Sequence, residues 1–250
     1  MLEGKSVAVV VPAFREERLI ARMLRRVPST VDAIYVVDDA SDDATLEQAR
    51  ALGDARVHCL RHETNRGVGA AIASGYRHAL AAGHDVLVVM AGDDQMDPAD
   101  LSRLTAPVIA GRAEYAKGNR LSHPEAHVMP RFRRLGTRLL AWLTRAVSGL
   151  AVDDTQCGYT ALSARAARLL DLDALWPRYG YPNDLLVMLS ARGLAVVDVE
   201  VRPVYADEKS GLRVWHAVMI AGVILRRAWL ERRRARARRN ERALSEGRAA

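Results

Sequence analysis

The chain is short of cysteine, of aromatic residues and of long apolar runs, and each shortage closes off an explanation. Its two cysteines, Cys59 and Cys157, cannot build a disulfide framework and lack the paired spacing of a zinc site. Aromatic residues make up 5% of the chain, so its core has to be built from aliphatic side chains. No stretch reaches the roughly 18 uncharged apolar residues of a membrane-spanning helix. The apolar run near the N-terminus, residues 7–11, is too short for a secretory signal. These absences lead to the expectation of a cytoplasmic protein, peripheral on the inner face of the cell membrane.

Half of the residues are apolar and 27% are charged, which is enough for a sizeable core and argues against wholesale disorder. The formal net charge of +7 is unevenly placed. Residues 226–250 hold ten arginines against three glutamates, so the preceding part of the chain is electrically balanced. A nucleic-acid binder should carry basic clusters over its body as well, and nucleic acid is therefore not an expected partner. Residues 214–225 (VWHAVMIAGVIL) contain no Arg, Lys, Asp or Glu, and Trp215 and Trp229 flank their apolar part. As a helix this segment would be about 18 Å long, too short to cross a bilayer. Followed by arginines, it is expected to lie on a membrane surface. The expected organisation is one domain over residues 1–211 and an apolar, then basic, segment over 212–250.

Apolar runs alternate with amphipathic stretches through the first half. Strands are predicted at residues 6–11 (SVAVVV), 33–37 (AIYVV), 56–60 and 86–90 (VLVVM). Helices are predicted at 17–27, 44–52 and 68–82, and from Pro98 to about Ala110. Near-continuous apolar strands alternating with helices predict an α/β fold with a mostly parallel sheet covered on both faces. In the second half, residues 131–150 read as an amphipathic helix with Leu135, Leu139, Leu140, Leu143 and Val147 inward. A further helix is expected at 185–191 and a strand at 195–201.

Ligands of such sheets sit past the carboxyl ends of the strands. There the first strand runs into Pro12, Ala13 and Glu16, the second into Asp38 and Asp39, and the fourth into Asp93, Asp94 and Gln95. Carboxylates crowded at one edge repel, and a bound cation or hydrogen bonds to a ribose and base would offset that repulsion. Gly67 and Gly69 precede a helix, but the dinucleotide fingerprint belongs after the first strand, so they read as a tight turn.

In order, Pro12 to Glu16, Asp38 to Asp43, Asn65-x-Gly67, Asp93-x-Gln95-x-Asp97-Pro98, Gly118-Asn119-Arg120 and Asp154 to Tyr159 resemble the motifs of family-2 inverting glycosyltransferases of the GT-A fold, a Rossmann-like sheet. Within that family the chain looks most like polyprenyl-phosphate and dolichol-phosphate sugar transferases and bacterial cell-surface glycosyltransferases. The resemblance covers residues 7–212. It implies metal-dependent inverting transfer from a UDP- or GDP-sugar to a polyprenyl phosphate, with Mg²⁺ or Mn²⁺ as cofactor, as in cell-envelope biosynthesis.

By that resemblance Pro12, Ala13, Glu16, Asp38, Asp39, Gly67, Arg120, Arg131 and Gln156 bind the nucleotide sugar, with Arg133 and Arg134 as alternatives to Arg131. Asp93 and Gln95 hold the metal with Asp94 assisting, and Asp93 and Asp184 are catalytic. One departure stands out: where the family usually has a first metal-binding acid, this chain has Ala91. One or two carboxylates suffice for Mg²⁺ when phosphates and waters complete its shell. Asp184 is the expected base if the acceptor is a hydroxyl of a lipid-linked or soluble glycan. A non-catalytic nucleotide-sugar-binding protein is the third reading. A nucleotidyltransferase is disfavoured, because no glycine- and basic-rich triphosphate loop follows the first strand.

Overall fold

Residues of the first strand alternate between two cores, and the rest of the fold is arranged around that alternation. In β1 (Val7–Ala13), Val7, Val9 and Val11 enter one apolar cluster, and Ala8 and Val10 enter the other. A strand apolar on both faces needs cover on both faces. The computed structural model, which describes residues 1–204 and 214–246, supplies it as a seven-stranded sheet between two layers of helix.

The other strands are β2 (Ala33–Asp38), β3 (Val57–Arg61), β4 (Val86–Val89), β5 (Tyr115–Asn119), β6 (Thr160–Ser163) and β7 (Val196–Glu200). Their order is β3-β2-β1-β4-β6-β5-β7. Pairing is parallel throughout except at β6, which runs antiparallel to both β4 and β5. In register, Val10 of β1 lies between Tyr35 of β2 and Val89 of β4. The carboxyl ends of β1, β2 and β4 therefore open on one side of the sheet, as the alternating pattern predicted.

The helices are α1 (Ile20–Arg26), α2 (Thr45–Arg50), α3 (Val68–Ala81), α4 (Leu101–Ile109), α5 (Arg131–Ser148), α6 (Ala164–Leu169), α7 (Tyr181–Ser190) and α8 (Val214–Glu246). Helices α3, α6 and α7 bury their apolar faces in one core, and α1 and α4 in the other. The approach of α3 to the sheet is set by Gly75, where an added Cβ would lie 2.3 Å from Cγ1 of Val10.

Two expectations need correction. The inward face of α5 is Leu140 with Leu143 and Val147, whereas Leu135 and Leu139 point to solvent together with Phe132 and Trp142. The helix carries two apolar stripes, and only one fits against its neighbours α7 and α8. The C-terminal segment is not a separate tail. Ile220, Ile224 and Ala228 of α8 pack on Leu140 of α5 and Val187 of α7 in a third apolar cluster. The expected boundary between residues 211 and 212 lies outside the described residues, as do 247–250 of the expected basic segment.

Two glycines in helices make opposite predictions. Gly75→Ala should lower stability by roughly 1–3 kcal/mol through overpacking against the stiff Val10 side chain. Gly136→Ala on α5, where a Cβ meets nothing within 4 Å among the described residues, should raise it by about 0.5–1 kcal/mol. Urea denaturation of the two variants checks both signs.

Candidate active site

Two adjoining clefts lie at the carboxyl edge of the sheet, with volumes of about 380 and 410 Å³. Pro12, Glu16, Val68, Ala91, Asp93 and Tyr179 line both, so Asp93 stands where they meet. One compartment continues over Ala13, Asp39, Asn65, Gly67 and Arg178. The other continues over Gln95, Gln156, Tyr181 and Ile220, with Arg120, Arg133 and Arg202 among its walls.

The aspartates of the edge have different assignments. Asp39 is 3% exposed, and its carboxylate accepts from the backbone N–H groups of Arg66 (2.9 Å) and Gly67 (2.6 Å). Its Oδ1 also lies 2.6 Å from Nδ1 of His62, whose Nε2 meets Oγ of Ser74 at 3.0 Å. Asp39 thus ties β2 to the turn before α3 while still bordering the cleft. Gly67 takes φ +96° in that turn, a conformation in which a side chain would be strained, and a Cβ there would sit 2.5 Å from the carbonyl oxygen of Pro177. Asp38 is fully buried; its Oδ1 accepts from Ser41 N at 3.1 Å, and Arg61 approaches Oδ2 at 3.5 Å. Asp38 lines neither cleft and holds the loop after β2.

At the end of β4, Asp93 Oδ1 accepts from Gln95 N at 3.1 Å, and both residues border the cleft. Asp94 does not join them. It sits at φ +55°, and Arg22 (2.6 Å) and Arg26 (2.7 Å) each take one of its oxygens. Asp94 is an anchor for α1, which corrects its expected part in metal binding. Asp97 caps the turn at Pro98 by accepting from Ala99 N at 3.1 Å.

Among the described residues no three His, Cys, Asp or Glu side chains come together to enclose a metal. The donors that face the cleft, the Asp93 carboxylate and the Gln95 amide, suit a hard cation whose remaining ligands come from phosphate and water.

Arg120 is held in a fork by Asp154, Nε at 2.7 Å from Oδ2 and Nη2 at 3.1 Å from Oδ1. Asp154 is fully buried and also accepts from the backbone N–H groups of Gln156 and Cys157. Burial works against its charge, but Arg120 and Lys117 outweigh that, so its pKa lies below the ordinary carboxylate value. Buried Lys117, bonded to the Cys157 carbonyl, has its pKa lowered by desolvation. Gln156 Nε2 donates to Asn183 Oδ1 at 2.7 Å. Arg131 is exposed at the start of α5 and lines neither cleft; Arg133, two positions on, does.

Asp184 is also reassigned. It is fully buried, its oxygens accept from Nε and Nη2 of Arg227 at 2.7 and 2.8 Å, and Oδ2 accepts from Trp176 N at 2.9 Å. It lines neither cleft. Sequence reading missed Arg202, Tyr179 and Tyr181, because these belong to late segments brought to the edge only by tertiary structure. The signal for Arg202 was its place just past a predicted strand, β7.

The profile of glycosyl transferase family 2 matches residues 8–145. The chain is 31% identical to undecaprenyl-phosphate mannosyltransferase of Micrococcus luteus, over 78% of this chain and 82% of that protein. It is 27% identical to UDP-N-acetylglucosamine–dolichyl-phosphate N-acetylglucosaminyltransferase of Methanococcus voltae, over 82% and 88% of the two chains. The fold is similar to that of glucosyl-3-phosphoglycerate synthase of Mycobacterium tuberculosis in its crystal structure with Mn²⁺, uridine diphosphate and glucosyl-3-phosphoglycerate. The TM-score is 0.70 at 24% identity, over 90% of this chain and 80% of that one.

The polar network behind Arg120 has a pH signature. Asp198 Oδ2 accepts from Asn119 Nδ2 (3.0 Å) and Asp153 N (2.7 Å), while its Oδ1 is buried with no hydrogen-bond partner among the described residues. Burial, offset in part by the Asp153 N–H and Lys117, pushes its pKa up to about 6. A raised carboxyl pKa means that the folded state binds the proton more tightly than the unfolded one. The associated stability is present at low pH and lost as pH rises through about 6. Asp198→Asn keeps one acceptor oxygen and does not titrate. Its melting temperature should exceed that of the wild type by roughly 2–4 °C at pH 7.5, with the difference shrinking as pH falls below about 6 and gone only below about pH 4, as scanning calorimetry would show.

Proposed function

The chain belongs to glycosyl transferase family 2 and is a glycosyltransferase of the GT-A fold; from this we propose that it transfers a sugar from a nucleotide sugar to a polyprenyl phosphate, with inversion, at a membrane surface. The observation that carries the acceptor assignment is the make-up of the second compartment. Arg120, Arg133 and Arg202 supply cationic groups for a phosphate, and Met96, Tyr181, Val204 and Ile220 supply an apolar wall for a hydrocarbon chain. The relatives whose names specify dolichyl phosphate and undecaprenyl phosphate support the same acceptor class.

The donor's nucleotide lies over Pro12, Ala13, Asp39 and Gly67, and its diphosphate reaches Asp93 at the seam and Gln95 just beyond it. Asp93 and Gln95 would hold Mg²⁺ or Mn²⁺, which when bound neutralises charge on the departing diphosphate. A phosphate oxygen from the arginine side attacks the anomeric carbon opposite the breaking bond to the nucleoside diphosphate. The new carbon–oxygen bond forms as the old one breaks, and configuration inverts. Arg120 is already oriented by the Asp154 fork, so little of its freedom is lost on binding.

No proton has to be removed in this reaction. A phosphate monoester has its second pKa at about 6 and is largely a dianion at neutral pH. Among the described residues lining the second compartment, the only carboxylates are Glu16 and Asp93, both at the seam. With Asp184 paired to Arg227, this arrangement favours a phosphate acceptor over a hydroxyl.

The outer face of α5 supports membrane contact. Phe132, Leu135, Leu139 and Trp142 lie at helical spacing and are 60–70% exposed. The helix contains five arginines and no acidic residue. Trp215, Val218, Leu225 and Trp229 are exposed on the neighbouring α8, where Arg233 lies over the Trp229 ring. Among the described residues no helix is long and apolar enough to cross a membrane. An apolar stripe edged by arginines fits the boundary of an anionic bilayer.

Purified protein with Mg²⁺ or Mn²⁺ should release nucleoside diphosphate from a UDP- or GDP-sugar only when a short polyprenyl phosphate is present. Asp93→Ala should lower kcat by at least roughly a hundredfold. Arg133→Ala should raise the acceptor KM by about tenfold while leaving the donor KM near the wild-type value. Release that depends on a glycan hydroxyl instead would move the acceptor assignment, and binding without release in any combination would favour the non-catalytic reading. In co-sedimentation with vesicles containing phosphatidylglycerol, the combined change Leu135→Ser, Leu139→Ser and Trp142→Ser should weaken binding by at least about tenfold.

A further inference from the structure

A buried arginine on α8 reaches the chain that walls the first compartment. Arg227 is 1% exposed. Its guanidinium grips both oxygens of Asp184 through Nε and Nη2, and the same Nη2 donates to the carbonyl of Ala174. Asp184 in turn accepts from Trp176 N at 2.9 Å. The pair therefore holds the chain on both sides of residue 175, at the entrance to loop 176–180. Next to it on α8, Arg226 lies over the Trp176 ring, 5.7 Å from its centroid.

That loop is seated directly on the turn that bears Gly67. The carbonyl of Pro177 accepts from Gly69 N (2.8 Å) and Ala70 N (3.2 Å), N–H groups of the first turn of α3. An added Cβ on Gly69 would stand 2.1 Å from the Trp176 carbonyl oxygen, so the two backbones are in close contact. Trp176 Nε1 donates across the loop to the Tyr179 carbonyl at 3.0 Å. Arg178 and Tyr179, the residues so positioned, line the compartment shared with Asp39 and Gly67.

We infer that Arg227 is a positioning residue for the donor side: acting through Asp184, it fixes loop 176–180 against the first turn of α3 and so shapes the nucleotide-sugar compartment. A buried ion pair is a poor device for stability alone, because desolvation cancels much of its attraction and apolar residues would hold α8 as well. Its forked geometry, with a carboxylate oxygen left over for Trp176 N, gives direction that apolar packing lacks. The inference rests on the reading of this compartment as the donor's.

The test compares wild type with Arg227→Lys, which keeps the charge and loses the fork. The double variant Arg227→Met with Asp184→Leu, which fills the space without charge, is used if the lysine variant fails to fold. Hydrogen exchange by mass spectrometry should show the amides of Trp176, Gly69 and Ala70 exchanging at least about tenfold faster, with the central strands unchanged. Affinity for UDP and GDP with Mg²⁺, by calorimetry, should fall about five- to twentyfold for whichever nucleotide the wild type binds. In turnover the donor KM should rise alongside, and by more than the acceptor KM, since Arg178 lines only the donor compartment while Tyr179 borders both.

Unchanged loop protection overturns the inference. So does unchanged nucleotide affinity, or a loss confined to the folded fraction with both KM values intact, which would make the pair purely structural. The exchange and calorimetry measurements do not need an acceptor. If the wild type binds a nucleotide but ignores polyprenyl phosphate, the acceptor assignment fails while the positioning of the loop is still decided.

Discussion

The structure depends on how carboxylates crowded at one edge of the sheet are partnered. A parallel sheet sends several strands to the same edge, and this chain ends β1, β2 and β4 there with acidic segments. A buried carboxylate must find hydrogen bonds or a cation, since an ion left unpaired in a low-dielectric interior is too costly to keep. Each solution ties two parts of the fold together. Asp94 binds α1 through Arg22 and Arg26, Asp39 binds the turn before α3, and Asp154 binds Arg120 beside β5. Asp184 binds α8 to α7.

These pairings also sort structural acids from those with a place in the cleft. Asp93 and Glu16 border both compartments, and Asp39 borders one while holding its loop. The same logic separates the arginines. Arg227 is spent on Asp184 in the interior, whereas Arg120, fixed by Asp154, still lines the cleft with Arg133 and Arg202. The edge thus presents acids on one side and arginines on the other, with Asp93 where the two compartments meet.

Much of the fold was legible because β1, β2 and β4 are apolar on both faces and leave no other architecture open. The clustering of Asp38, Asp39 and Asp93 at strand ends was legible for the same reason. Which of those acids faced the cleft was not. Asp93 and Asp94 are adjacent in sequence and chemically identical, and it is the left-handed backbone at Asp94 that turns it toward Arg22 and Arg26. Asp184 was expected to be a base because the resemblance places it in the acceptor half. Its partner is 43 residues away on a helix that sequence reading had set aside as a tail.

Helix α5 draws the line between the two kinds of information. Its sequence determined that it is a helix, that it is strongly basic and that it carries more apolar residues than one face can bury. Only the packing of α7 and α8 decided that Leu140 goes inward and that Leu135 and Leu139 face outward. The same holds for the chain as a whole. Periodicity and strand-end chemistry are local properties, and they determined the sheet, its covered faces and the edge where the clefts lie. The identity of each ion pair depends on distances between segments far apart in sequence, and those distances exist only once the helices have packed.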